Sequence, residues 1–306
     1  MKIAFVGKGG SGKSTISSLF TKFLLDKDLP VLGFDADINI NYFQNMNLEA
    51  KGNLALSNTD NTYNIKKYLI GNNDKIQSPS HFVKTTPPSK GSSFLKINDE
   101  NYIIKNYSQK IGSGYFFYVG KYESDGIGTS CYHNNLSIFE NILSHTKLEK
   151  EQYLVADMSA GTDAFSNSLH AQFNKIILIV NPTQESIKVA KDFINLAKDA
   201  KTYDNVYVAI NNYEDEEELE HIQDQIGKKA EILLQKNKII RQKSLFGKYL
   251  YIDDTNYKDS FEKIINTESD YKDKCILENL KNLHIKYAQQ AYVIRRVGDI
   301  TLQAKN

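Results

Sequence analysis

The feature that most constrains the fold is an apolar run, a glycine loop and an amphipathic stretch within the first 24 residues. Residues 2–6 (KIAFV) are typical of a buried parallel strand. Residues 7–15 (GKGGSGKST) fit the pattern G-x-x-x-x-G-K-[ST], and apolar residues then recur at helical spacing. This order is the context that a phosphate-binding loop requires. The alternative is a glycine-rich turn before a surface helix.

Such a loop binds phosphate because glycines let successive backbone N–H groups converge on the phosphate oxygens. The helix that follows adds its dipole and its free N–H groups. Lys13 would reach the β- and γ-phosphates, and the Ser14 hydroxyl would ligate Mg²⁺. The residues expected to bind the nucleotide here are Gly9, Gly10, Ser11, Gly12, Lys13, Ser14 and Thr15.

Two further apolar runs end in carboxylates. Residues 31–34 lead into Asp35 and Asp37, and residues 153–156 lead into Asp157 and a glycine loop. Carboxylates at the carboxyl ends of parallel strands face the ligand crevice. We expect Asp35 and Asp157 near Mg²⁺ and Asp37 to orient the attacking water, although Asp35 and Asp37 also suit a helix cap.

Composition narrows the class of protein. The chain has 306 residues, with 41% hydrophobic and 25% charged residues, which is typical of a globular protein. Lys and Arg total 38 against 37 Asp and Glu, which argues against nucleic acid as a partner. The chain has no apolar run of membrane-spanning length and only two cysteines, so we expect a cytoplasmic protein without disulfides.

The remaining pattern predicts an α/β fold. Its mostly parallel sheet would have seven or so strands, with helices on both faces. Further strands are expected at residues 115–119, 175–180, 206–210 and 232–234.

Two segments stand apart from this pattern. Residues 43–114, rich in Asn, Ser, Lys and Tyr, are expected to form an insertion with a short helix near 63–69 and a hairpin, or simply a surface excursion. We predict an ATPase domain over residues 1–254 and a helical extension over 255–306. The extension would pack on the chain's own sheet or dock a partner.

The loop also contains an early lysine, Lys8. With this second lysine, the loop resembles the deviant phosphate loop of the MinD/ParA/nitrogenase-iron-protein class of P-loop ATPases, which act as dimers. The resemblance implies that Lys8 crosses the interface of an ATP-bound homodimer to the partner's nucleotide, and that Asp37 is the hydrolytic aspartate. Without the resemblance, Lys8 would be read as a solvated loop lysine.

The same resemblance suggests the base pocket. A strand of the family ends in an asparagine that reads the adenine edge, and Asn211 fits that position, with Asn212 in place of the usual basic residue. An amide offers both a donor and an acceptor, which suits adenine, although a turn asparagine is the alternative. Gln235, Lys236 and Asn237, after the last short strand, are expected to close over the base.

Two stretches are similar to the nickel-insertion accessory ATPases of carbon monoxide dehydrogenase. One is the strand, Gly-Lys and acidic glycine loop after residue 115, and the other is Asp-Met-Xaa-Ala-Gly at 157–161. The second cysteine of the family's metal-binding Cys-Xaa-Cys is replaced here, leaving Cys131 and His133. Two copies of this pair would make a Cys₂His₂ transition-metal set. The alternative is an ordinary thiol and a loop histidine.

The leading hypothesis is a dimeric, Mg²⁺-dependent switch that binds ATP, hydrolyses it slowly to ADP and acts on a client protein. One alternative is a partitioning or positioning ATPase whose ATP dimer binds DNA or membrane, which the near-neutral charge argues against. A metallochaperone using Cys131 and His133 is another. A nucleotide sensor that has lost hydrolysis is a fourth, and the aspartates at the strand ends argue against it.

Overall fold

The computed structural model describes residues 1–121, 132–246, 254–267 and 273–305, which form an eight-stranded sheet. The strands are β1 (Lys2–Gly7), β2 (Val31–Ala36), β3 (Gln109–Ile111), β4 (Gly114–Tyr118), β5 (Tyr153–Met158), β6 (Lys175–Val180), β7 (Val206–Tyr213) and β8 (Ile232–Gln235). Their order is β3-β4-β2-β5-β1-β6-β7-β8. All neighbours run parallel except β3 and β4, which form an antiparallel hairpin. The prediction of a mostly parallel α/β sheet is confirmed.

Helices cover both faces of the sheet. They are α1 (Lys13–Asp26), α2 (Asn41–Asn45), α3 (Thr59–Ile70), α4 (Tyr102–Tyr107), α5 (Tyr132–Ser144), α6 (Gln184–Asp199), α7 (Glu216–Ile226), α8 (Lys238–Leu245), α9 (Thr255–Asn266), α10 (Asp273–Ala288) and α11 (Ala291–Val297). Each helix of the described chain is too short or too polar to cross a lipid bilayer.

Strand β1 shows how the sheet divides the core. Ile3 and Phe5 point into a cluster with α1 and α9, whereas Ala4 and Val6 point into a cluster with α3, α5, α6 and α7. This alternation follows from the two-residue period of a strand that is buried on both faces. The apolar clusters on both faces of the sheet therefore fix the end of β1, and with it the start of the loop that follows.

Residues 43–114 contribute to the core on one face of the sheet. Leu56, Leu69, Phe82 and Leu95 are fully buried in that cluster. The helix expected near 63–69 is α3, which begins earlier, where the Asn58 side chain accepts a hydrogen bond from the backbone of Asp60. The hairpin expected within this segment, all of which the structure describes, is not formed there: its one strand, β3, pairs instead with β4, the strand expected separately at 115–119.

The C-terminal helices are divided between two places. On α9, Phe261 packs against Phe20 of α1 with ring centroids 5.5 Å apart. Apolar residues recur at helical spacing from 276 to 294, which predicts one continuous helix, but α10 ends at Ala288 and α11 begins at Ala291. The break lets Val293 join Ala288 in a small cluster with Val83. A domain boundary at residue 254 stays a prediction.

Candidate nucleotide site

Residues 7–15, here called the phosphate loop, join β1 to α1 in a backbone conformation that needs glycine. Gly7 and Gly12 have φ values of +145° and +94°. A Cβ on Gly7 would lie 2.4 Å from the Ile179 carbonyl oxygen, and one on Gly12 would lie 2.6 Å from Asn211 Nδ2. Gly12 precedes α1 without a side-chain cap, so the first N–H groups of the helix are left for a ligand.

Neighbouring segments hold the phosphate loop in place. Asn211 at the end of β7 donates from Nδ2 to the Ser11 carbonyl at 2.9 Å. The Gly161 N–H, in the turn after β5, donates to the Gly7 carbonyl at 3.0 Å. Inside the loop, Ser11 N–H donates to the Lys8 carbonyl at 3.0 Å. The loop is thus linked both to β7 and to the turn after β5.

Two polar groups of the phosphate loop fit a bound phosphate. The buried Ser11 hydroxyl has no hydrogen-bond partner among the described residues. Lys13 is 6% exposed, and its ammonium donates to the Lys8 carbonyl at 3.4 Å, a long contact for a charged donor. A phosphate oxygen would satisfy both groups.

The carboxylates predicted at the strand ends are adjacent. Asp35 on β2 lies in register with Asp157 on β5, and both side chains are fully buried. Ser14 Oγ donates to Asp157 Oδ2 at 2.6 Å, and Ser17 Oγ donates to Oδ1 at 3.2 Å. Burial raises the pKa of Asp157 to about 7. Burial, and then the neighbouring Asp157, raise the pKa of Asp35 well above its ordinary value.

This donor set fits magnesium. A hydroxyl beside a carboxylate offers the oxygen ligands that Mg²⁺ prefers, and a divalent cation would offset the charge of two neighbouring carboxylates. Ser14 and Asp157 are the residues placed for this role. Asp35 already accepts two backbone hydrogen bonds, from Asp37 N–H at 3.2 Å and Phe43 N–H at 3.0 Å. It therefore holds the segment after β2, and its contact with the metal stays a prediction.

Asp37 lies at the start of that segment, where it is largely buried. Its Oδ1 accepts hydrogen bonds from the Asn39 backbone at 2.9 Å and from Asn39 Nδ2 at 2.8 Å. The carboxylate is thus held by its own turn and has no hydrogen bond to the phosphate loop within the described chain. Its water-orienting role stays a prediction.

A cavity of about 710 Å³, here called the nucleotide cavity, opens beside the phosphate loop. Its lining includes four residues expected near the nucleotide, namely Thr15, Asn211, Lys236 and Asn237. Gln235 is outside the lining, since its side chain is exposed and donates to the Glu214 carbonyl at 3.3 Å. The structure therefore brings Asn211 to the cavity and leaves Gln235 beside it. The reading of adenine by Asn211 stays a prediction.

Sequence reasoning missed several contributors. Asn181, directly after β6, lies in the cavity lining. The rule used for Asp35 and Asp157, that a polar residue at a strand end faces the ligand, would have found it. Ser17 and Asn45 had no such signal. Asn45 Nδ2 donates to the Ser14 carbonyl at 3.0 Å, a contact that depends on how α2 packs against α1.

Most of the predicted transition-metal pair lies outside the residues that the structure describes. Cys131 falls outside the described residues, and His133 is placed only as part of the first turn of α5. No group of three or more His, Cys, Asp or Glu side chains suited to a metal ion is found in the described part of the chain.

Comparison with known proteins agrees with this geometry. Residues 3–249 match the CobQ/CobB/MinD/ParA nucleotide binding domain. An uncharacterised ATP-binding protein of Methanocaldococcus jannaschii is 26% identical over 270 residues, 87% of this chain and 96% of that protein. The carbon monoxide dehydrogenase accessory protein CooC of Rhodospirillum rubrum is 23% identical over 201 residues, which cover 65% of this chain and 70% of CooC.

The fold also has counterparts among solved structures. A ParA family ATPase from Chlorobium tepidum superposes with a TM-score of 0.56 at 14% identity, covering 91% of this chain and 98% of that chain. The likeness of the folds and the match over most of the chain agree with the phosphate loop and strand-end carboxylates. The chain belongs to the CobQ/CobB/MinD/ParA nucleotide-binding family and is a P-loop ATPase of the MinD/ParA type.

Proposed function

We propose that the protein is a cytoplasmic, Mg²⁺-dependent ATP switch that closes as a homodimer and acts on a client protein. The observation that carries the proposal is the contact of Ser14 with Asp157, beside the buried Asp35. This places the phosphate loop against the ends of two strands, and each strand continues into a segment that a bound nucleotide would reach.

Each residue of the site has a physical task in this proposal. The Lys13 ammonium offsets charge that develops on the transferred phosphoryl group. Ser14 and Asp157 would hold Mg²⁺, which when bound neutralises phosphate charge. Asp37 would accept a hydrogen bond from the attacking water and so orient it. Asn211 keeps the phosphate loop in its receptive shape through the Ser11 carbonyl.

Two contacts would carry the nucleotide state outward. The Gly161 N–H is bonded to the Gly7 carbonyl, so the turn after β5 depends on the conformation of the phosphate loop. Asp35 holds the backbone of Asp37 and Phe43, so the segment after β2 depends on the charge next to Asp157. A ligand that alters these contacts would bias the surface that a client protein meets.

The homodimer part of the proposal is supported by Lys8. Its carbonyl is used inside the phosphate loop, but its half-buried side chain has no hydrogen bond or ion pair within the described chain. A second lysine in the loop has little use for phosphates that Lys13 already reaches. Reaching the nucleotide of a facing subunit would give it one, and would link ATP binding to association.

The action on a client protein is proposed from the similarity to CooC. The Asp-Met-Xaa-Ala-Gly pattern at 157–161 supports it, as does the 23% identity to CooC over 65% of the chain. Ser159 and Asp163 stand where that group usually has glutamates, and the second cysteine is replaced. The client surface is therefore expected to differ from that of CooC, whereas the nucleotide chemistry is expected to be shared.

Sedimentation velocity tests the switch. An Asp37→Ala variant, expected to retain ATP, is measured with and without Mg²⁺·ATP, alone and combined with Lys8→Ala. We expect ATP to move the Asp37→Ala protein from monomer to dimer and Lys8→Ala to remove that shift. Lys90→Ala, at an exposed loop lysine, is the matched control and should dimerise normally. A monomer–dimer balance independent of ATP, or of Lys8, would refute the proposal.

A further inference from the structure

A separate cavity of about 550 Å³ lies between α3, α5, the segment 80–84 and the C-terminal helices α10 and α11. It shares no lining residue with the nucleotide cavity within the described chain. We call it the cationic cavity, because its lining includes Lys66, Lys84 and Arg296 and, within the described chain, no Asp or Glu. It takes no part in the ATP chemistry described above.

The three cations lack compensating charge. None of them forms an ion pair within the described chain. Lys84 Nζ lies 5.5 Å from the centre of the Tyr287 ring, a contact with an uncharged group. Burial, and then the nearby Arg296 guanidinium, lower the pKa of Lys66 to about 8. Lys66 and Lys84 are partly buried and Arg296 is exposed at the edge of the cavity. Like charges held together cost free energy, most of all for the two partly buried lysines, unless an anion joins them.

The buried carboxyl group of Glu140 offsets this charge only in part. Glu140 feels the charge of Lys84, but it is fully buried on α5 behind the lining. Its Oε2 accepts hydrogen bonds from the Ser168 backbone at 2.8 Å and from Ser168 Oγ at 2.5 Å. Burial raises the pKa of Glu140 to about 7, so the carboxyl carries only about half of its charge at pH 7.

Hydroxyl groups complete the lining. Ser80 and Tyr292 stand at the exposed mouth, and Ser137 of α5 lies deeper. Together with the planar fork of Arg296 and the ammonium groups of Lys66 and Lys84, they offer donors from several directions. A phosphomonoester presents about 1.5 to 2 negative charges and three acceptor oxygens, whereas one carboxylate presents a single charge.

We propose that the cationic cavity binds a phosphomonoester group, with Lys66, Lys84 and Arg296 as its cationic ligands. The group belongs to a small metabolite or to a phosphorylated side chain, which share this chemistry. The volume exceeds that of a phosphate alone and leaves room for the organic part beside Tyr287 and Tyr292.

The position of the cavity ties it to the ATP site. Its wall includes Ser166 and Asn167, at the end of the 3₁₀ helix Asp163–Ser166 that follows the turn whose Gly161 N–H is bonded to the phosphate loop. A ligand here and ATP would therefore act on opposite ends of the segment 161–167. If occupation of one site changes that segment, each ligand alters the affinity of the other by the same factor.

Calorimetric titration with inorganic phosphate tests the site. The protein is first saturated with Mg²⁺ and the non-hydrolysable analogue AMP-PNP, so that the phosphate loop is filled. We expect one further phosphate to bind, and Lys66→Met and Arg296→Met each to weaken it at least tenfold. Lys67→Met and Arg295→Met are matched controls at neighbouring lysine and arginine positions outside the lining, and should stay within twofold of wild type.

A second measurement guards against misfolded variants. Phosphate should raise the melting temperature of AMP-PNP-saturated wild type and of Lys67→Met, but not that of Lys66→Met. The unliganded Lys66→Met protein should melt no lower than wild type, because an uncompensated cation has been removed. Glycerol 3-phosphate and a phosphoserine peptide, titrated separately, identify the source by the tighter binding.

Three results would overturn the proposal. They are no phosphate binding beyond the nucleotide site, equal losses in Lys66→Met and Lys67→Met, or succinate binding as tightly as phosphate. None of these results bears on ATP-driven dimerisation, so the site and the proposed switch fail separately.

Discussion

The hydroxyl of Ser14 donates a hydrogen bond of 2.6 Å to Asp157, although the two residues are 143 positions apart in the chain. The contact joins the start of α1 to the end of β5, two elements that meet only because β5 lies beside β1 in the sheet. Ser17 Oγ makes a second contact to the same carboxylate, at 3.2 Å. Two donors from one helix thus hold Asp157 at the position predicted for a magnesium ligand.

Lys13→Ala should abolish ATP hydrolysis and weaken nucleotide binding. The ammonium is the phosphate loop's buried cation, and without it the loop that holds the phosphates has no buried positive charge to offset theirs. The expected loss of turnover is roughly 10²-fold or more, typical of removing a group that stabilises transition-state charge. Steady-state phosphate release and fluorescent-nucleotide binding measure both effects. Turnover at the wild-type rate would refute the assigned role of the loop.

Asp37→Ala should still bind ATP but hydrolyse it poorly. Its carboxylate is bonded to Asn39 and not to the phosphate loop, so its removal leaves the phosphate contacts in place. Single-turnover hydrolysis and equilibrium ATP binding separate the two effects. If affinity and rate fall by the same factor, Asp37 is a binding residue and its assigned role is wrong.

Asn211→Ala should loosen the phosphate loop. The substitution removes the donor to the Ser11 carbonyl, and a lost buried hydrogen bond costs about 1–2 kcal/mol, or roughly 5- to 30-fold in ATP affinity. The control is Asn47→Gly, outside the lining of the nucleotide cavity, at an exposed position with a φ of +56° that glycine adopts freely. This control should bind ATP normally.

Tripolyphosphate distinguishes the two roles of Asn211. If the amide acts through the phosphate loop, the Asn211→Ala variant loses affinity for tripolyphosphate as well as for ATP. If it reads the base, tripolyphosphate binding is unchanged while ATP binding falls. The first outcome is expected, because Nδ2 is already bonded to the loop.

Glu140→Gln should change how stability depends on pH. Burial raises the pKa of Glu140 from 4.5 to about 7, so the folded state holds the proton more tightly than the unfolded state. The free energy of unfolding of wild type should therefore fall as pH rises from about 4.5 to 7, by roughly 3 kcal/mol at most. Glu140→Gln removes this contribution. Urea unfolding at pH 5, 6 and 7.5 gives the free energy of unfolding of each protein, and plots of this free energy against pH should converge at low pH. Parallel curves would contradict the prediction.

Much of the fold follows from local pattern. Apolar runs ending in polar residues identified β2, β5, β6 and β7, because strands buried on both faces leave little room for charge. Strand β3 (Gln109–Ile111) carries no such signal. It has two polar residues and one apolar residue, which form a strand only by pairing with β4. The break between α10 and α11 was missed for a related reason. The apolar period continues across it, while packing against Val83 decides where the chain turns.

The site divides in the same way. The phosphate loop and Asp157 were predictable because their chemistry lies in short contiguous motifs. The hydrogen bonds of Asp35 with Phe43 and of Asn211 with Ser11 were not predictable, because both depend on which strands are neighbours. Nor does any motif bring Lys66 and Arg296 together, since 230 residues separate them in the chain.

The short hairpin strand β3 also protects the protein from a hazard of its own sheet. Residues 115–118 of β4 read YFFY, an uncharged aromatic run of high strand propensity. If β4 were the outermost strand, its free N–H and C=O groups would be a template for other chains. Instead β3 covers that side, and its Lys110 is paired with Asp99 at 2.8 Å. The three residues of β3 thus keep the aromatic strand β4 from being the exposed edge of the sheet.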